Sequence, residues 1–439
     1  MFARTAADQA LWAALMADPE SDAPRLVYAD ALQHRGEALG EFISLQCHPN
    51  LLVERTLWER ANELERLHMT RWKAEVGVPT ARLWFQRGLP IGAEVTLAAD
   101  ALGILERAPI RTLVFRAPQE AAAAPALETM QVIARDPRLA RVFASQTYGG
   151  VEVTRALIGS PYFVARSLDV MPYSATNETA EALRTTALPH LTGLRFFSNG
   201  WYRDRPMIND VGVAALTRGT WPLRHLELND LPLTAASLHS LARSDLVLES
   251  LRLKLVGDVA DGLRAFVTSP AASRLVKLDL SSGELDDRAL AALVEGPLPS
   301  LRELNLALNS RLTGPGLEAL ANSSTLPRLE SLNLSHTTLS PASCAVFAAS
   351  PRLAQLHTLS LEAASKGPAM AIAIAHSPHA TRLRSLNLSG CKGRDEAAFE
   401  VARSESLSDV ERLSFYRNKV THAGREVLQA RFGERLSID

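Results

Sequence analysis

Side chains able to do chemistry are thinly spread along this chain. His376 and His379 lie three apart, a spacing that puts two imidazoles on one face of a helix. A metal site needs a third ligand, and none is near. Cys47 and His48 are neighbours, and adjacent side chains on a helix diverge, so they do not make a thiol with its base. Tyr28 and Asp30 could act as a pair; alternatively Tyr28 packs, and its hydroxyl or Asp30 satisfies nearby backbone. Asp169, Glu227 and Asp279 are far apart in sequence and read as a solvated face. A Gly-rich phosphate loop, His-Glu-x-x-His, Cys-x-x-Cys and Gly-x-Ser-x-Gly are all missing. No catalysis, metal or cofactor is expected.

Residues suited to recognition are denser. Tyr148, Tyr173 and Phe197 precede the segment Asn199-Gly-Trp-Tyr-Arg-Asp-Arg-Pro206, which carries Trp201, Tyr202, Arg203 and Arg205. Arg195, Glu227 and Arg252 fall in the same part of the chain. Large aromatics and arginines are the usual anchors of protein interfaces, so these ten residues are the candidate protein-binding patch. The alternative is that Tyr173 fills a turn and Trp201 folds back over a helix layer.

Composition narrows the partner. Lys plus Arg is 47 and Asp plus Glu is 48, giving a net charge of −1, whereas binding to nucleic acid rests on a basic surplus. A nucleic-acid partner is therefore not expected. Three cysteines far apart (Cys47, Cys344, Cys391) form neither a disulfide framework nor a metal-ligand spacing. No apolar run approaches the roughly 18 residues of a membrane span, and the start of the chain lacks the apolar run and cleavage site of a secretion signal. The chain reads as cytoplasmic, with no membrane partner.

What must position these residues is a repeat. The pattern apolar-x-x-Leu-x-Leu recurs with its central residue at Leu113, Val142, Leu168, Leu194, Leu226, Leu251, Leu278, Leu304, Leu332, Leu359, Leu386 and Leu413, at intervals from 25 to 32 and mostly near 27. A partial thirteenth strand lies at Leu436-Ser-Ile438. Alternate side chains of a strand face opposite ways, so Leu304 and Leu306 turn inward and Asn305 outward. Each strand is followed by apolar residues three and four apart, as at Leu317, Leu320 and Ala321, the mark of a helix. One strand and one helix cannot bury their apolar faces alone; stacked copies can. The expected fold is an α/β horseshoe with a parallel concave sheet, outer helices and about 12 repeats over residues 110–439. Its interval resembles the ribonuclease-inhibitor class of leucine-rich repeats. In that class the position five after the marked Leu is typically Asn or Cys. Here it is Asn at 199, 309 and 418 and Cys at 391, but Tyr173, Leu231, Val256, Gly283, Thr337 or Ala364 elsewhere, so loosened turns are expected there.

Residues 1–109 read as a mainly helical cap. Helices are expected over residues 5–17, from an N-cap at Asp22 to Gly36, around Leu39 to Gln46, and over 51–76, with a strand-like stretch at Val95 and Leu97. The words Asp22-Ala-Pro-Arg-Leu-Val-Tyr-Ala-Asp30, Arg35-Gly36, Gly40-Glu-Phe-Ile-Ser-Leu-Gln46 and Trp84-Phe-Gln-Arg-Gly-Leu89 resemble the bacterial repeat-companion domain found in front of leucine-rich repeats. That resemblance transfers no catalytic residues and implies a capping role. The function expected from sequence is a non-catalytic protein-interaction scaffold of unknown oligomeric state. The other reading is a regulator of a partner enzyme, nuclease-inhibitor-like or GTPase-activator-like.

Overall fold

The computed structural model describes residues 6–18, 20–78, 81–116, 123–198, 207–364 and 367–439. They fall into two compact units, the first holding residues 1–175 and 185–191, the second residues 176–184 and 192–439.

The first unit opens with four helices, α1 (Ala6–Ala17), α2 (Asp22–Gln33), α3 (Ala38–Gln46) and α4 (Arg55–Glu75). The N-cap of α2 is Ser21, whose hydroxyl accepts from the amide of Ala23; Asp22, the N-cap expected from sequence, is its first residue. The carboxylate of Asp22 is freed to pair with Arg25 at 2.9 Å and with Arg87 at 2.7 Å. Gly40 lets α3 lie directly on α2, since a Cβ there would sit 2.4 Å from the carbonyl of Ala29.

An antiparallel hairpin follows, β1 (Arg82–Gln86) and β2 (Leu89–Val95). It turns through Arg87 and Gly88, both at positive φ (49° and 78°), as a two-residue hairpin turn of the favoured hand requires. The expected strand-like stretch thus ends at Val95, and Leu97 caps the next helix, α5 (Ala98–Arg107). Strand β2 then pairs in parallel with β3 (Thr112–Phe115), β3 with β4 (Ala144–Thr147), and β4 with β5 (Ser167–Val170). Here the leucine reading slips once. The residue aligned with Leu113 and Leu168 is Ser145, not Val142, which lies at the end of a 3-10 turn (Pro137–Arg141). Asp136 caps that turn by accepting from the amide of Arg138 at 2.8 Å, which delays the strand by three residues.

The second unit is a leucine-rich-repeat solenoid of the α/β kind. Ten strands pair in parallel and in chain order: β6 (Gly193–Phe197), β7 (His225–Leu233), β8 (Ser250–Leu255), β9 (Lys277–Asp279), β10 (Glu303–Asn305), β11 (Ser331–Asn333), β12 (Thr358–Ser360), β13 (Ser385–Asn387), β14 (Arg412–Ser414) and β15 (Leu436–Ser437). The register aligns Leu194, Leu226, Leu251, Leu278, Leu304, Leu332, Leu359, Leu386, Leu413 and Leu436 rung by rung. From Leu194 to Leu413 each of these is at most 2% exposed. A helix returns the chain after each strand from β6 to β14, as at Gly314–Asn322, where Leu317, Leu320 and Ala321 are buried.

Three sets of polar contacts tie neighbouring coils. Asn309 is wholly buried; its Nδ2 donates to the carbonyls of Leu280 (3.0 Å) and Leu306 (2.9 Å), and its Oδ1 accepts from the amide of Leu285 (3.1 Å). Asn418 repeats this with Leu388, Phe415 and Gly393. Where the Asn is replaced, Cys391 donates to the carbonyl of Leu361 and Thr337 to that of Leu334, while Leu231 and Ala364 simply fill the space. The residue just before this position takes a left-handed conformation in coil after coil (Asp230, Ser282, Leu308, His336, Ala363, Arg417), with glycine at Gly390 alone of that series.

The second set caps helices across coils. Asp210, Asp287 and Asp395 each accept from the backbone amide of the N-cap threonine one coil on, at 3.0 Å from Thr234, 2.8 Å from Thr313 and 2.8 Å from Thr421. Gly316 and Gly424 make room for these carboxylates, since a Cβ at either would lie 2.5 Å from the Asp oxygen. The third set lies at the other helix end. There Ser350, Ser377 and Ser404 donate to the carbonyls of Ala321, Ala348 and Ala375.

Two outcomes follow. Asn309→Ala leaves two carbonyls and one amide buried without partners and lowers stability by about 2–4 kcal/mol in urea unfolding. Asp210 titrates between opposing influences: burial raises its pKa, but the hydroxyl of Ser237 and the amide and hydroxyl of Thr234 outweigh this and hold it below the usual 3.8. A depressed folded-state pKa adds stability above the unfolded value, lost as pH falls through the folded one. The stability gap between the natural chain and Asp210→Asn is therefore full at neutral pH and shrinks on acidification below 3.8, as urea midpoints across that range will register.

Candidate functional site

The sheet of the second unit presents its outward side chains in straight columns fixed by the strand register. The central column reads Arg195, Glu227, Arg252, Asp279, Asn305, Asn333, Ser360, Asn387 and Ser414. Of the candidate patch, this brings Arg195, Glu227 and Arg252 onto adjacent strands. Phe197 joins them from the same face of β6, with the Arg195 guanidinium 5.8 Å from its ring centre. Charges alternate along the first four rungs and vanish after Asp279.

That alternation is internally balanced. Arg252 lies 3.6 Å from Asp279, and one column over Lys277 pairs with Glu303 at 3.0 Å. The acidic residues are not solvated as their spacing implied. Asp279 is only 7% exposed and accepts from the amide of Ser281 (2.9 Å) and from Asn305 (3.0 Å). Asp169, in the first unit, is 3% exposed and accepts from Gln146 at 2.9 Å. Glu227 remains half-buried and accepts from Asn229 at 3.5 Å.

The third column departs from the simple pattern. Strand β7 shifts register between Leu228 and Pro232, around Asp230 at φ 54°, so Lys254 pairs with Pro232 and not with Asn229. Asn229 stays beside Glu227 but is only 7% exposed, and Lys254 reaches Asp230 at 3.9 Å.

Tyr148 and Tyr173 belong to the first unit. Tyr148 is level with Arg116 and Met171, as the amides of these three residues each bond the preceding rung, and Tyr173 lies two positions further on. The two tyrosines thus stand two positions apart in register. The Arg116 guanidinium covers the Tyr148 ring at 4.3 Å and pairs with Glu94 at 3.0 Å, and burial pushes the phenol pKa up. Trp201, Tyr202, Arg203 and Arg205 lie outside the described residues.

The remaining candidates separate. Tyr28 is fully buried against Trp12, ring centres 5.5 Å apart, while Asp30 on the same helix is exposed and reaches His34 at 3.5 Å. His376 ends the helix Ala369–Ala375 and pairs with Glu400 at 2.7 Å; His379 begins a separate 3-10 turn (Ala380–Arg382). The Cys47 thiol is pushed up by burial, and that of Cys344 to about 12. Among the described residues, no three His, Cys, Asp or Glu side chains are grouped to hold a metal, and no helix is long and apolar enough to cross a membrane.

One column escaped the sequence reading. At the point where the chain enters each strand from β7 to β14 stand Arg224, Glu249, Val276, Arg302, Glu330, His357, Arg384 and Glu411, each level with the next through backbone hydrogen bonds. Arg224 pairs with Glu249 at 2.8 Å, Arg302 with Glu330, and Arg384 with Glu411 at 3.1 Å. The signal was present in the repeat, two positions before each marked leucine.

Residues 298–321 match the family model described as Leucine Rich repeat. No curated protein matches the chain. Among solved structures, the crystal structure of the Rad7 and Elc1 complex in yeast is similar at 14% identity, covering 98% of this chain and 90% of that one with a TM-score of 0.46. Stacked strands in leucine register, the buried turn asparagines Asn309 and Asn418 and a repeat model matched at residues 298–321 agree that the second unit is built of leucine-rich repeats.

Proposed function

We propose that the chain is a non-catalytic, cytoplasmic scaffold that binds another protein through the open sheet face at its charged end, with no nucleic-acid or membrane partner. The observation that carries this reading is the column Arg195–Glu227–Arg252–Asp279 beside Phe197, in contrast to the Asn and Ser rungs that follow. An aromatic ring and arginines at one end of a rigid sheet provide interface anchors, whereas short polar side chains provide little contact area. Trp201, Tyr202, Arg203 and Arg205 extend the proposed patch in sequence, and Tyr148 and Tyr173 are proposed as binding residues of the first unit. Residues 1–109 are read as a companion domain that caps the repeats of 110–439; the hairpin β1–β2 supports this, since β2 occupies the edge of β3.

The regulator reading, nuclease-inhibitor-like or GTPase-activator-like, calls for one sign of charge gathered against a target. Alternating signs favour a general adaptor over it, since balanced charges serve orientation and discrimination more than attraction.

The test is partner capture from the native cytoplasm with the full chain and two variants. Glu227→Arg combined with Arg252→Glu reduces recovery of a stoichiometric partner at least about tenfold. Ser360→Ala combined with Asn387→Ala leaves recovery unchanged. Urea midpoints of both variants are measured beside the capture, because Arg252 flanks the buried Asp279 and Asn387 holds the amide of Ser389, and recovery is compared with every chain folded. Equal recovery with both variants, or turnover of a small molecule by the purified chain, overturns the reading.

A further inference from the structure

On the side of the second unit where the chain leaves the strands and starts the helices, a pocket of about 620 Å³ spans three successive coils. Leu339 and Pro341 line it after β11, Pro368, Ala369 and Ile372 after β12, and Glu396 after β13. The repeat explains the opening. Asp287 and Asp395, which bridge to the next coil, stand nine residues after Leu278 and Leu386; nine after Leu332 and Leu359 stand Pro341 and Pro368. A proline side chain has no acceptor to reach across with. Helix Ala369–Ala375 accordingly starts after Pro368 with no side-chain cap, and a Cβ added at Gly367 would meet nothing within 4 Å.

The gap has a definite polarity. Its walls are chiefly apolar, and no Lys, Arg or His lines it among the described residues. Glu396 is exposed and forms no ion pair or hydrogen bond among the described residues. The other polar side chains on the wall are Thr337 and Thr338. Their hydroxyl protons go to the carbonyls of Leu334 (2.7 Å) and Ser310 (3.1 Å), so only lone pairs are left. The lining side chains thus offer hydrocarbon and acceptors, and no donor. Pockets for whole small molecules run from about 300 to 1,000 Å³, and this volume falls within that range.

We propose that this pocket binds a small organic ammonium ion, its charged nitrogen donating to Glu396 and its apolar body lying on Leu339, Pro341, Pro368 and Ile372. Other chemistries fit less well. A carboxylate or phosphate would meet Glu396 with like charge and find no side-chain donor. A neutral hydrocarbon suits the walls but leaves the charge at the rim unused. A lysine side chain of a partner brings its charge on a thin stem of about four carbons, which leaves most of this volume empty. The site is separate from the sheet face and does not rest on the reading of that face.

The experiment follows the Ile372 δ-methyl signal by nuclear magnetic resonance in the full chain labelled with 13C at that position of isoleucine. The signal is assigned by its loss in Ile372→Leu, or in Ile372→Val should the former not fold. The probes are hexylammonium, hexanol and hexanoate, matched in carbon number, and the capped tripeptide Ala-Lys-Ala. Hexylammonium shifts the signal saturably. Hexanol, and hexylammonium with Glu396→Gln, bind about fivefold more weakly, as loss of an exposed ion pair implies. Hexanoate and the tripeptide bind more weakly still, and Ala369→Leu, which fills the pocket, weakens hexylammonium at least about tenfold. The variant Glu227→Arg with Arg252→Glu binds hexylammonium unchanged, which distinguishes this pocket from the sheet face. An Ile372 signal unmoved by hexylammonium up to about 20 mM, equal affinity for hexanol, hexanoate or the tripeptide, or unaltered affinity in Glu396→Gln or Ala369→Leu overturns the proposal. So does a gain of at least about tenfold in Lys366→Ala, which would make the chain's own lysine the occupant.

Discussion

An open stack of coils has to satisfy, in every coil, the backbone groups that neither strand nor helix uses. Strand pairing handles the strand itself, because each rung bonds the next. The turn leaving the strand and the two ends of the returning helix are left over. In the second unit these three places are met by three recurring side chains reaching into the adjacent coil: Asn309 or Asn418 at the turn, Asp210, Asp287 or Asp395 at the helix start, and Ser350, Ser377 or Ser404 at the helix end. Each reach of this kind works only if the coils keep register, so the repeat interval near 27 and the polar ladders support each other. An insertion of one residue between a leucine and its turn would misplace all three contacts at once.

Because interior leucines and coil-to-coil contacts carry the fold, outward positions are released from structural duty and can vary. The column Arg195 to Ser414 varies in this way, from charged at one end to short and polar at the other. Even so, the charged positions are not idle. Asp279, held by Ser281 and Asn305 and flanked by Arg252, is a buried carboxylate on a nominally exposed face. Its attraction is largely spent within the chain, so adhesion at this face falls to the ring of Phe197 and to shape, with charge setting orientation.

The leucine period made the strands, their order and their parallel sense legible before any coordinates, and the register confirms nine of the marked leucines as direct neighbours from Leu194 to Leu413. It failed at Val142, where the aligned residue is Ser145: an apolar search slides to the nearest apolar residue when the strand carries a polar one. It could not see the register shift of β7 between Leu228 and Pro232, which the leucine spacing does not announce. The Asp–Thr caps and Arg–Glu pairs went unread for another reason. Their partners lie about one period apart, so they surface only when the coils are overlaid in register and polar positions are compared with the same care as apolar ones. In the first unit, Asp22, Arg25 and Arg87 belong to words recognised separately, and only the hairpin turn at Arg87 and Gly88 reveals that they meet.

The strand-entry edge and the sheet face thus share a property that bears on recognition. On the sheet face, Asp279 and Arg252 already partner one another, so an incoming group must displace contacts that the chain makes for itself. On the edge, Arg224 pairs with Glu249, Arg302 with Glu330 and Arg384 with Glu411, so the charges there are likewise spent between neighbouring coils. Recognition at either place therefore rests on shape and on the apolar area of residues the ladders leave free, more than on the density of charge.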